Sequence, residues 1–362
     1  MKKKILAIPL IFLVVIAYYL SSLVGISIDT SNIIVVIAIY ACVVIALFSK
    51  TMNFKREEVF LILIQLAIAV VALKANMVSL TVIVLLNAFF SYYNSSINLN
   101  YFTRISFLLF MITVISYYFF GFNSQYDISM WRINGLINRS SIGFTQPNQA
   151  MLAWVGIFFG FILNMSKKNR VGYIFLLLGS ITVYIQTKSR TGFVILLSIL
   201  TLTFLLRNCL DKPVSRLLKS ILIILPTSFF GVSIWLMNQS TNNTLNSLLS
   251  GRPMLYKQFF DLTGITLWGN SVIENKMLDN SYLSMLLGKG IVFSVFYIIT
   301  LIYLIMSAKK LSVRLFIVIS LFFVYGLTET LLFRFELLLP IIMSLHVSKE
   351  EIDEKSVIPY DS

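Results

Sequence analysis

The stretch QTKSRTGF, Gln186–Phe193, carries Lys188 and Arg190 within three residues and lies between two long apolar runs. Those runs, about 171–187 and 190–207, are nearly free of charge. An apolar segment of about 20 residues crosses a bilayer as a helix, and such segments recur from one end of the sequence to the other. The whole composition agrees. Of 362 residues, 58% are hydrophobic and 12% charged, with mean hydropathy +0.88. A soluble domain is nearer half apolar and a quarter charged. The expected fold is therefore all-α: a polytopic integral membrane protein forming one transmembrane domain over 1–362.

Twelve spans are expected, at about 5–24, 32–49, 58–74, 76–93, 104–121, 146–165, 171–187, 190–207, 217–237, 281–306, 312–328 and 331–347. The opening MKKKILAIPLIFLVVIAYYL has the basic and apolar regions of a signal peptide. It runs on too long and lacks a small-residue cleavage site, so it reads as the first span. Two longer hydrophilic segments interrupt the pattern, 122–145 and 238–280, and residues 348–362 read as a short solvated tail. Cys42 and Cys209 give neither a disulfide framework nor a metal site.

Cytoplasmic loops of membrane proteins are enriched in Lys and Arg. With the N-terminus inside and twelve alternating spans, 19 of the 29 cations fall inside and every inner loop is basic. The net charge of +14 is then a topology signal and no sign of nucleic-acid binding. Both termini fall on the cytoplasmic side. Both long loops and QTKSRTGF fall outside, with ten cations: Lys74, Arg132, Arg139, Lys188, Arg190, Arg252, Lys257, Lys276, Lys289 and Arg334. Arginine's planar fork grips phosphate oxygens in pairs and stays charged. Arginines converging from separate turns would form a pocket for a doubly charged anion, and at the outer face that suggests a lipid-linked diphosphate. Taken singly, each could instead snorkel to lipid headgroups.

Three further stretches carry polar groups at helix ends. In LDNSYLSMLLGKG, Leu278–Gly290, Asp279 is either an N-cap or a carboxylate facing the cations, placed to take a proton from a hydroxyl. Lys289 then snorkels, or 279–289 is an external amphipathic segment and the true span begins near Gly290. In GLTETLLFRFE, Gly326–Glu336, Glu329 and Arg334 share a short outer turn, where ionisable groups are costly and often functional, though they could simply pair. In NRSSIGFTQPNQA, Asn138–Ala150, Pro147 suits a first helical turn. Asn148 and Gln149 could cap that helix or bind sugar hydroxyls. No Walker motif or paired metal-binding carboxylates occur, and the single histidine, His346, lies near the inner end of the last span. An external base must then be Asp or Glu.

The order of these features, SRTG, then SGR in the second long loop, then DN with a glycine ten residues beyond Asn280, resembles the Wzy-type polymerases of O-antigen, capsule and exopolysaccharide, within the wider O-antigen ligase group. The ligases usually carry His where this chain has Asp279, which favours a polymerase. The resemblance implies a glycosyltransferase of a bacterial cell membrane. Its substrates would be oligosaccharides linked to a polyprenyl diphosphate such as undecaprenyl diphosphate, joined at the outer face with loss of the lipid diphosphate and without a cofactor or metal. Flippase and chain-length regulator proteins would be its partners, besides membrane lipid. On this reading Asp279 is the candidate catalytic base, with Glu329 the second candidate. Arg190 and Arg252 hold the diphosphate, and Arg139, Lys188, Arg334, Asn148 and Asn280 complete the substrate site. A ligase using another acceptor, or a flippase of lipid-linked oligosaccharides, would share many of these features. A flippase, however, would need cations along an internal cavity.

Overall fold

The structure is a computed structural model describing Val71 and residues 95–132, 135–249, 251–274, 278–308, 310–334 and 336–345. Apart from Val71, the four expected spans before residue 94, the tail and His346 lie outside the described residues. What is described is mostly helical. Helix α1 is Ser95–Phe120, α2 Pro147–Asn164, α3 Arg170–Thr187, α4 Arg190–Leu205 and α5 Arg216–Asn238. Helices α6 (Asn243–Leu248), α7 (Arg252–Thr263) and α8 (Ser271–Glu274) occupy the second long loop. Helix α9 (Ser281–Leu283) runs on as a π-helical turn over Ser284–Lys289, followed by α10 (Gly290–Ser307), α11 (Val313–Tyr325) and α12 (Glu336–Leu345).

Four segments are long and apolar enough to cross a membrane: Leu99–Phe120, Arg170–Thr187, Arg216–Asn238 and Ser281–Ser307. Helices α4 and α11 have 16 and 13 residues, short of the roughly 20 that span a bilayer unaided. The chain is thus mostly helical over the described residues, with several segments whose length and composition fit a membrane.

Helix α2 forms the centre. Ala150 to Gly160 are buried without interruption, so this helix is apolar all round and meets protein on every side. Its glycines permit the closest approaches: a Cβ at Gly156 would lie 2.6 Å from the Glu336 carbonyl oxygen, and one at Gly160 2.2 Å from the Thr103 hydroxyl. Helices in a bilayer gain contact this way, since lipid offers apolar side chains no hydrophobic penalty to escape.

Two polar ends result. At one end Arg314 is buried, donating to the Ile162 and Met165 carbonyls where α2 ends and to Asp211 at 2.9 Å. Lys219 donates there to the Ala308 carbonyl at 2.7 Å. These cations satisfy carbonyls that a helix end leaves without partners. At the other end α2 begins at Pro147, α3 ends at Thr187, α4 begins at Arg190 and α11 ends at Tyr325. Among the described residues, Arg170 and Arg314 therefore lie at one end of the helices, and Arg139, Lys188 and Arg190 at the other.

Two features differ from expectation. The segment 122–145 contains an antiparallel hairpin, β1 (Ile128–Arg132) on β2 (Gly135–Arg139), with Ile128 opposite Arg139 and Arg132 opposite Gly135. Gly135, at φ +113°, opens β2 in a backbone conformation that glycine adopts freely. The expected span 281–306 is broken at Gly290, where φ is +90° and a Cβ would strike the backbone at Leu267 and Gly269. The loop before α8 covers the break: Asn270 N–H donates to the Gly288 carbonyl, and Ile291 N–H to that of Thr266. A regular helix therefore restarts at Gly290, as the second reading of Lys289 anticipated, but residues 281–288 are largely buried and not an exposed amphipathic stretch.

Candidate functional site

At the end opposite Arg314, four segments place three arginines and two carboxylates together. Arg139 is the last residue of β2 and only 8% exposed. Its Nε donates to the Thr187 carbonyl at 2.8 Å, and its Nη2 to Oδ1 of Asn148. Ser140 N–H adds a bond to the Gln186 carbonyl. The hairpin is thereby clamped between the end of α3 and the start of α2. The loop that follows is strained: Ile142, a buried β-branched residue, has φ +44°. Asp127 braces it, accepting from Ser141 N–H at 2.7 Å and from the Tyr117 hydroxyl at 2.7 Å.

Arg252 opens α7, after Gly251 in the left-handed region and before Pro253, a typical helix start. Its Nη2 lies 3.5 Å from Oδ2 of Asp279. Four residues on, on the same face of the helix, the Tyr256 hydroxyl donates to the Asp279 carbonyl at 3.0 Å. Burial pushes that phenol up to about 12, so it remains a donor.

Asp279 is not the helix cap. That role belongs to Asn280, fully buried, whose Oδ1 accepts from Tyr282 N–H and Leu283 N–H, both at 3.0 Å. Its Nδ2 donates to the Ser233 hydroxyl of α5 at 3.1 Å. Cap geometry needs extended backbone at the capping residue, and Asn280 has φ −159° and ψ 114°. Asn280 is thus spent on structure, while Asp279 is left half-exposed beside Arg252. Replacing Asn280 with Ala strands two buried N–H groups and Ser233. Thermal unfolding of the purified protein is expected to show a loss on the order of 2 kcal/mol, and Asn280→Ser, which keeps the cap, a smaller one.

Glu329 lies in the turn after α11. Ser281 stitches this turn to the head of α9: its hydroxyl donates to the Glu329 carbonyl at 2.6 Å and accepts from Leu331 N–H at 2.8 Å. Ser281 N–H also donates to the Gly326 carbonyl at 2.8 Å. The Glu329 side chain is 7% exposed, and its carboxyl makes no hydrogen bond to the described residues. Burial raises this carboxyl to about 7; the charge of Asp279 adds to the rise, and Arg252, Arg334 and Arg139 oppose it. Asp279 is also raised, chiefly by burial, against the pull of Arg252 and Arg139. Arg334 donates from Nε to the Thr330 carbonyl at 3.3 Å and reaches Glu336 at 3.5 Å.

The cluster therefore contains Arg139, Arg252, Arg334, Asp279 and Glu329. Lys188 and Arg190 sit at the same end but apart. Lys188 ends α3 in the left-handed region, φ +51°, and Arg190 is exposed on the first turn of α4 without an ion pair among the described residues. Asn148 serves Arg139. Tyr256 and Ser281 are site residues that the sequence pattern does not single out. The helix-start signal at Gly251–Pro253 could have revealed the first, through its spacing from Arg252. Nothing in sequence reveals the second, because its partners lie about fifty residues away. Among the described residues no three of His, Cys, Asp and Glu are grouped to hold a metal ion.

No family model, curated protein or solved structure matches the chain. The chemistry must be read from the cluster itself. Three fixed guanidinium groups suit an anion of two or more charges. A buried carboxyl near neutrality suits proton transfer.

Proposed function

We propose that this chain is a bacterial cell-membrane glycosyltransferase of the Wzy polymerase type, with twelve spans and both termini cytoplasmic. Its substrates are oligosaccharide repeat units linked to a polyprenyl diphosphate. The single observation that supports this most is the convergence of Arg139, Arg252 and Arg334 on Glu329, beside Thr187 at the end of one segment long and apolar enough to cross a membrane and Asp279 at the head of another. In the reaction, a hydroxyl oxygen of the acceptor sugar attacks the anomeric carbon of the donor. The bond from that carbon to the diphosphate oxygen breaks, and the lipid diphosphate leaves with the electron pair. Arg252 and its neighbours stabilise that charge as it develops. The hydroxyl proton passes to Glu329, the more buried of the two carboxyls and one without a hydrogen-bond partner among the described residues. Asp279 holds Arg252. Because the leaving group is already activated, holding both substrates in line supplies most of what remains.

The test is polymer formation by the purified protein from lipid-diphosphate repeat units alone. Chains several units long, with free polyprenyl diphosphate released, are expected. Transfer only to a different acceptor would make it a ligase, and movement of intact substrate across vesicles without new bonds a flippase. Sidedness has its own check: reporters fused after Lys168 and Arg216 should read cytoplasmic, and one near Asn243 external. If the Arg216 and Asn243 fusions lie on one side, the outer placement of the cluster fails.

A further inference from the structure

The opposite end of the helices carries a second concave site. Helix α3 runs from Arg170 there to Thr187 beside Arg139, and 18 residues at about 1.5 Å each separate the two ends by roughly 27 Å. A cleft of about 390 Å³ opens between the start of α3 and the end of α4, with Lys168, Arg170 and Arg207 on its rim and Tyr173, Phe204 and Asn208 in its wall. Lys167 also borders it, 4.0 Å from Asp211, whose charge is already engaged by Arg314. Lys168, Arg170 and Arg207 have no acidic partner among the described residues. The Arg207 guanidinium lies 5.5 Å from the Phe204 ring centre, and that ring meets Tyr173 edge-on at 6.1 Å. A stacked guanidinium is held in place while its N–H groups stay free to bond.

Next to this charged rim the helices turn apolar side chains outward. Val171, Ile174 and Leu178 on α3, and Phe204 and Leu205 on α4, are each more than half exposed. Basic loops beside membrane spans follow from topology alone. Topology does not account for three cations with no acidic partner among the described residues around one aromatic-walled cleft with an apolar flank. We infer that this cleft binds the phosphate headgroup of an anionic phospholipid, its acyl chains lying along the exposed faces of α3 and α4. Basic pockets between helix ends take such headgroups. The apolar flank favours a lipid over free phosphate, which would gain nothing from it.

The experiment is thermal unfolding of the full chain in detergent, titrated with phosphatidylglycerol or phosphatidylcholine. Phosphatidylglycerol is expected to raise the transition and phosphatidylcholine to leave it nearly unmoved. The Arg170→Gln/Arg207→Gln variant should need about thirtyfold more phosphatidylglycerol for the same rise, from a factor of about five per cation near a lipid surface. Lys168→Gln, a milder change at an exposed side chain, should need about fivefold more. Arg216→Gln, exposed on the same end but outside the cleft, should match wild type. Equal stabilisation by the two lipids, an equal rise with inorganic phosphate alone, or an Arg216→Gln loss as large as that of the double variant would each overturn the site. None of these readings depends on glycosyl transfer.

Discussion

Glu329→Gln is expected to lower polymer formation by about 10²–10⁴, the contribution typical of a positioned general base. The amide keeps the size and shape of the side chain but cannot accept the hydroxyl proton. Wild-type rate should rise with pH through about 7, as the Glu329 carboxyl ionises, and then level off. Stability should move the other way. The folded-state value lies above that of an unfolded glutamate, so the native protein holds the proton more tightly. Wild-type stability then falls as pH rises between about 4.5 and 7 and stays low above that. The Gln variant escapes this fall. Its thermal transition at pH 8 should exceed that of wild type, by on the order of 3 kcal/mol at most, and the two should nearly coincide at pH 4.5. Asp279→Asn should reduce the rate less and move the pH profile to lower pH, because it loosens Arg252 and removes the negative charge that adds to the rise of the Glu329 carboxyl. If Glu329→Gln keeps the wild-type rate while Asp279→Asn loses it, the base is Asp279.

Arg252→Lys should lose about 10²-fold or more in rate, comparable to removing one preorganised donor from an oxyanion site. Lysine keeps the charge but gives up the fork that spans two phosphate oxygens and lies beside Asp279. Arg190→Lys is expected to stay within a few-fold of wild type. Arg190 neither pairs with a described carboxylate nor acts on Glu329. Membrane levels of both variants should be normal, since neither guanidinium supports the packed interior. Equal, severe losses at both positions would instead place the diphosphate over the α3–α4 turn.

The helices were legible because hydrophobic length is local information. The spans expected at 146–165, 171–187 and 217–237 match Pro147–Asn164, Arg170–Thr187 and Arg216–Asn238 nearly end for end. Helix α11 ends earlier than expected, at Tyr325, because the chain turns there to let Ser281 bond the backbone around Glu329. Periodicity carries no trace of that contact. At the site, the residue types pointed to Arg139, Arg252, Arg334, Asp279 and Glu329, but type alone could not separate them from Arg190. That distinction depends on where β2 and α7 fold back, a matter of tertiary placement. The reversal at Asp279 and Asn280 has a similar cause. Both residues suit a cap, and only backbone angles reveal which one faces the helix.

The Ser281 stitch makes the two acids parts of one jaw. Asp279 stands one residue before the residue cap of α9, and Glu329 rides the turn that Ser281 and the Thr330 hydroxyl fasten to the same segment. Their spacing is therefore set by backbone bonds and does not vary with what lies between them. The facing jaw is α7, joined to the first through Arg252 at 3.5 Å and the Tyr256 hydroxyl. Tyr256 and Phe259 of α7 are buried against Leu278 and Leu283, so the second jaw is packed onto the first. Under the proposed reaction, such a clamp sets one width for what enters it and presents the reacting hydroxyl to Glu329 in the same place each time.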